Sequence, residues 1–156
     1  MSVDKLVFSG KEIAPELMDV LTYGGNISVA VTGTSMSPYL KCERDIVHLR
    51  VCKDEDIKAG QILLFTRPDK TLVLHRVRKI LRNGDIVLNG DGQSWCETIT
   101  KDQIVAVSYC IERKGHCVDC NSMGFKLWNI LWSPTRPIRS ILQKIRYLYT
   151  TRNMLK

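Results

Sequence analysis

"TLVLHRVRKIL" (71–81) followed by "NGDIVLNGDG" (83–92) is the stretch on which the fold turns. Side chains of an extended strand alternate between two faces. On that alternation Leu72, Leu74, Arg76 and Arg78 share one face, and Val73, His75, Val77 and Lys79 share the other. Asn83-Gly84 then supplies a tight hairpin turn, because both residues tolerate the positive φ that such turns need. The stretch therefore predicts two antiparallel strands.

The same texture extends outward on both sides. "GQILLFTR" (60–67) is a dense apolar run that reaches residue 71 through a "PDK" turn. "RDIVHLRV" (44–51) sets Ile46 out of phase with Val47, Leu49 and Val51, the pattern of a half-buried strand. "NISVAVT" (26–32) alternates, and "QIVAVSYCIERKG" (103–115) closes the series. Strands at this spacing with turns between them predict a mainly β fold, a small barrel or coiled sheet. Before them, "KEIAPELMDVLT" (11–22) places Ile13, Leu17, Val20 and Leu21 on one face of a short helix that ends at Gly24-Gly25. The expected organisation is a β body over 1–116 and a helical basic tail over 117–156.

Charge sharpens that division. The 156-residue chain holds 23 bases and 16 acids. No acid follows Asp119, whereas Lys126, Arg136, Arg139, Lys144, Arg146, Arg152 and Lys156 do. Those seven bases account for the whole net charge of +7, leaving 16 bases against 16 acids in the body. A neutral body with a basic tail argues for a partner specific to the tail and against a nucleic-acid binder. In the tail, Phe125, Trp128 and Trp132, then Ile138, Ile141, Leu142, Ile145 and Leu148, recur at helical spacing. Such stripes fit either helices packed on the body or an amphipathic segment lying peripherally on an anionic membrane.

No run approaches the roughly 18 apolar residues of a membrane span. The N-terminus carries early acids and no long apolar core, so a secretory signal is not expected. The expected location is the cytoplasm. There, Cys42, Cys52, Cys96, Cys110, Cys117 and Cys120 are read as reduced thiols. "HCVDC" (116–120) has the look of half a zinc site, but a second C-x-x-C is missing, and no metal or other cofactor is expected.

Chemistry enters at "VTGTSMSPYL" (31–40). A strand end followed by a sharp turn presents a serine hydroxyl and aims backbone N–H groups outward. Gly33 permits the turn and Pro38 stiffens its exit. Serine becomes a nucleophile only when a base takes its proton. His75, among valines in the middle of a strand, has the right chemistry for that base; the bland alternative is a core histidine bonded to a backbone carbonyl. His48 and His116 lack a comparable setting.

"TGTSMSPYL", "RDIVHLRV", "AGQILLF", "VLHRVRKI", "LNGDGQSWCETI" and "QIVAVSYCIERKG" follow one another in this order. The series resembles the serine peptidase superfamily of signal peptidases and LexA-like repressors, over about residues 27 to 115. "S-M-x-P-x-L" and "H-R-V", 40 residues apart between Ser35 and His75, carry the likeness together. The resemblance implies a coiled β-sheet peptidase with Ser35 as nucleophile and Ser37 outside that role. His75 stands where bacterial signal peptidases carry a lysine, as in the eukaryotic and archaeal-type branch. "N-G-D" (89–91) is similar to the family's Gly-Asp motif, and Glu97 stands where the histidine branch has a further acid. Asp91 and Glu97 are thus the candidates to orient His75. Where relatives carry a hydroxyl residue two before the nucleophile, this chain has Gly33; the Ser35 N–H, with the Thr34 hydroxyl, is then left to hold the oxyanion. Neither the membrane anchor of signal peptidases nor the DNA-binding domain of the repressors is evident. The implied activity is an endopeptidase acting on a leader or precursor peptide. The alternative is a peptide-binding module of the same fold, without turnover or processing only itself.

Overall fold

The computed structural model describes residues 17, 19–21, 23–135, 138 and 141. Eight strands form one antiparallel sheet: β1 (Ile27–Ala30), β2 (Asp45–Arg50), β3 (Ile62–Thr66), β4 (Leu72–Ile80), β5 (Ile86–Asn89), β6 (Glu97–Ile99), β7 (Ile104–Arg113) and β8 (His116–Asp119). Their order is β1-β2-β7-β3-β4-β5-β6. One edge of β7 carries β2, and the other carries first β3 and then β8. The expectation of a mainly β fold holds, and the opening stretch does form a hairpin, with Arg76 opposite Asn89 and Ile80 opposite Ile86.

Three registers step over a residue, at Val105, Arg78 and Tyr109. Bulges of this kind bend a strand and increase its twist. The bent sheet buries side chains on both faces. Ile62 and Leu64 of β3 join Leu40, Val47, Leu49, Ile111 and Phe125 in one core. Leu63 and Phe65 join Val77, Ile86, Leu88, Ile99 and Val107 in the other. This is why Ile62–Phe65 is apolar at every position: a strand buried on both faces has no polar phase.

One boundary differs from the sequence reading. The division expected between 116 and 117 falls inside β8, so the sheet continues to Asp119. After it, helix α1 (Met123–Trp132) packs Phe125 into the first core with Trp128 against it. Of the expected N-terminal helix, residues 17 and 19–21 are helical; Leu21 is buried, but Val20, placed on the same face, is exposed. Ile13 lies outside the described residues, as does the 142–156 part of the tail. Cys110 and Cys117, read as reduced, are joined by a disulfide across the β7–β8 hairpin with Cα atoms 5.9 Å apart. Cys120 is buried against the Ser108 hydroxyl. Among the described residues no three His, Cys, Asp or Glu side chains gather to hold a metal ion.

Candidate active site

The serine turn follows β1. Gly33 has φ +89, a conformation that side-chain-bearing residues rarely adopt, so glycine at that position follows from the backbone. The turn closes through Ser37 N–H to the Thr34 carbonyl and Leu40 N–H to the Met36 carbonyl. Met36 and Leu40 are buried and anchor it, while Thr34 is exposed and Ser35 half-buried. Asp45 fastens its far end. It accepts bonds from Arg44, Arg113 and the Lys41 amide, and both arginines also reach the Tyr39 carbonyl. Burial alone would raise the Asp45 pKa, but these donors outweigh it and hold the carboxyl at about 2.

The loop after β5 meets this turn. Gly92 N–H donates to the Ser35 carbonyl at 2.8 Å. A Cβ on Gly90 would stand 2.5 Å from that same carbonyl, and one on Gly92 would stand 2.8 Å from the Ser37 carbonyl. The two glycines of "NGDG" are therefore the spaces into which the serine turn fits. Their flanking polar residues pin the loop. Asn89 donates to the Gln93 and Trp95 carbonyls. Asp91, fully buried, takes a bidentate grip from Arg76 at 2.7–3.2 Å. Arg76 in turn reaches the Gly60 carbonyl and Asn129, and lies over the Tyr39 and Phe125 rings.

His75 occupies the opposite face from Arg76, among the second core, with its ring 5.7 Å from Phe65. Arg76 pairs with Asn89, so one residue along β4 His75 stands level with Gly90, where the Ser35 carbonyl lies. Its side chain is almost wholly buried, and Nδ1 is 3.5 Å from Glu97 Oε1. Neither ring nitrogen makes a hydrogen bond with a described residue. Burial pushes the imidazole pKa down to about 4; Glu97 opposes that, and Arg67 adds to it. Glu97 is committed first to Arg67, whose guanidinium grips both carboxylate oxygens and lowers the Glu97 pKa.

Thus His75 and Glu97 meet on one face of the β4–β5 hairpin and Asp91 belongs to Arg76 on the other, while Ser35 meets the loop through its backbone carbonyl at Gly90 and Gly92. Thr34 contributes its carbonyl to the turn, and its exposed side chain makes no hydrogen bond with a described residue. Arg67 and Arg76 escape sequence reasoning because their partners lie 30 and 15 residues away in sequence. A second serine–histidine–acid set also escapes it. Ser28 Oγ is 2.8 Å from His48 Nδ1, and His48 Nε2 is 3.1 Å from Glu112 Oε2. Ser28 is directly opposite His48 across β1–β2, and Glu112 is in neighbouring β7. The phase of β1 and β2 carries a trace of it, but only strand pairing reveals it. No family model matches the chain, and no curated protein matches its sequence.

Proposed function

We propose that the chain is a serine endopeptidase with the coiled sheet of the signal peptidase and LexA-like superfamily, acting through Ser35 and His75 on a leader or precursor peptide. The observation that carries this reading is a buried histidine whose two ring nitrogens make no hydrogen bond with a described residue. It stands beside an acid and level with the glycine that admits the Ser35 turn. A buried polar atom without a partner costs about 1–3 kcal/mol. A core histidine of purely structural use would be bonded, so the cost here supports a chemical use.

In this reading Ser35 Oγ attacks the scissile carbonyl carbon and its proton passes to His75 Nε2. Glu97, on the Nδ1 side, stabilises the imidazolium. His75 then gives the proton to the leaving amine, and water releases the acyl group from Ser35 by the same exchange. The Ser35 N–H makes no hydrogen bond with a described residue, which leaves it to receive the oxyanion. The Oγ–Nε2 hydrogen bond forms when substrate closes the site, as apo geometries at such centres are commonly long. The motif resemblance supports the peptide as substrate class, and a non-turnover or self-processing module of the same fold is the competing reading.

Ser28–His48–Glu112 is the second reading, favoured by its formed hydrogen bonds. It sits on an extended strand pair with Ser28 exposed. There is no turn at Ser28 to aim amides at an oxyanion, so a cross-strand polar cluster accounts for it. A serine-directed fluorophosphonate probe decides. Ser35→Ala should abolish labelling, with Ser28→Ala and Ser37→Ala labelled like the parent. Labelling that survives Ser35→Ala and disappears in Ser28→Ala would transfer the activity to the second site. Mass measurement of the incubated chain, alone and with added peptides, separates action on itself from action on a substrate.

A further inference from the structure

Helix α1 has two faces with different fates. Its inner face is fully used: Phe125 is buried, Trp128 packs on Tyr39, Asn129 donates to the Gly60 carbonyl, and Trp132 Nε1 donates to the Asp91 carbonyl. The tryptophans, which the sequence offers as lipid-facing residues, thus face the body, stacked on each other 5.1 Å apart. The outer face is apolar as well. Met123, Leu127, Ile130 and Leu131 are 54–79% exposed, and Ile138 and Ile141 beyond the helix are about as open, at 60% and 58%. Rolling the helix to bury these residues would break every inner contact, so the described body does not cover the outer face.

The charge of this part of the chain selects the partner. Residues 120–156 hold seven bases and no acid. A second copy would bring the same seven bases against them. Folding the tail back would set its six bases on a helix that holds Lys126 and no acidic residue. A nucleic acid would match the charge but leave the leucines and isoleucines unburied. An anionic bilayer surface satisfies both halves, taking the apolar face into the headgroup boundary and the bases among its phosphates.

We propose that the outer face of α1, with the basic segment after it, docks the protein on an anionic lipid surface. Because Trp132 holds the Asp91 carbonyl in the loop beneath the Ser35 turn, docking puts that loop within a helix diameter of the membrane, roughly 10 Å. The proposal does not depend on the chemistry of Ser35.

Full-length protein is floated with phosphatidylglycerol and with phosphatidylcholine vesicles across a salt series. The expected result is binding to the anionic vesicles, weakening steeply as salt screens the headgroups. Leu127→Glu/Ile130→Glu/Leu131→Glu should lose at least about tenfold in affinity while its melting curve matches the parent. Leu127→Ser/Ile130→Ser serves as a milder pair should the triple variant unfold. Absence of binding to phosphatidylglycerol would overturn the proposal, as would equal binding by parent and both variants. A parent dimer in sedimentation that the variants dissolve, with no lipid binding, would instead assign the face to a second copy.

Discussion

His75 is held where its own charge is unwelcome. Burial is the largest influence on it, Glu97 opposes, and Arg67 reinforces burial, so the pKa falls from 6.5 to about 4. Two outcomes follow with definite sign. If His75 is the base, kcat/KM rises with pH through about 4, well below the ordinary imidazole value. The folded chain also resists protonation that the unfolded chain accepts. Stability is therefore complete above about 6.5 and lost as pH falls toward 4, by about 3 kcal/mol at most. Urea unfolding of the parent and His75→Gln at pH 7 and pH 4.5 measures it; a parent no more pH-sensitive than the variant would refute the burial account. Arg67→Met removes a cation that depresses His75 and releases Glu97, so the acid limb should move up in pH. Glu97→Gln should cost about 10²-fold or more in turnover if the acid stabilises the imidazolium. An unmoved limb in the first variant and full turnover in the second would leave Glu97 as a partner of Arg67 alone. At this scale sequence was informative about types and spacing. Ser35 and His75 could be singled out by residue type and setting, and Glu97 only through the family resemblance. Arg67 could not, since nothing local ties residue 67 to residue 97.

The element that organises the site is the β4–β5 hairpin with the loop it carries. Gly90→Ala puts a methyl group 2.5 Å from the Ser35 carbonyl and 2.8 Å from Gln93 Oε1. A backbone atom cannot yield as a side chain can, so the serine turn should be displaced. We expect probe labelling of Ser35 to fall at least about tenfold while far-UV dichroism stays native, because misplacement by an ångström costs reactivity before it costs the fold. Unchanged labelling would show that the loop does not position the turn. Arg76→Met tests the other face. It strips the buried Asp91 carboxylate of its guanidinium, which should destabilise by about 3–5 kcal/mol in denaturant melts. The hairpin was legible because two apolar-rich runs flank an Asn-Gly turn. β6 was not, since three residues are too few to display a period. β8 was hidden because "HCVDC" drew attention to metal spacing, although its partner strand lies just before it, with Cys117 opposite Glu112.

At the scale of the molecule, two cores share one bent sheet, and Asp45 ties the serine turn to β7 through Arg113. The Asp45 carboxyl is held at about 2 against an ordinary 3.8, so its contribution is present above about pH 4 and disappears as pH falls toward 2. Asp45→Asn should lower the melting temperature at pH 7 and make the loss smaller at pH 2.5; equal losses at both pH values would mean that the charge is unimportant there. The mainly β class was legible from the spacing of apolar runs, whereas the order of the strands was not, because β7 joins β2 to β3 over some 40 residues or more. That β4 is buried on both sides has a further consequence. Its neighbours His75 and Arg76 differ in destination by a single step of the pleat. A slip of one residue would exchange them, thrusting a guanidinium among Leu63, Phe65 and Leu88 of the neighbouring strands and leaving Asp91 facing an imidazole. The cost of that exchange belongs to the misaligned state alone. The Arg76–Asp91 clasp therefore acts as a key to strand alignment: it admits the one pairing in which the histidine arrives beside Glu97, and penalises the pairing next to it.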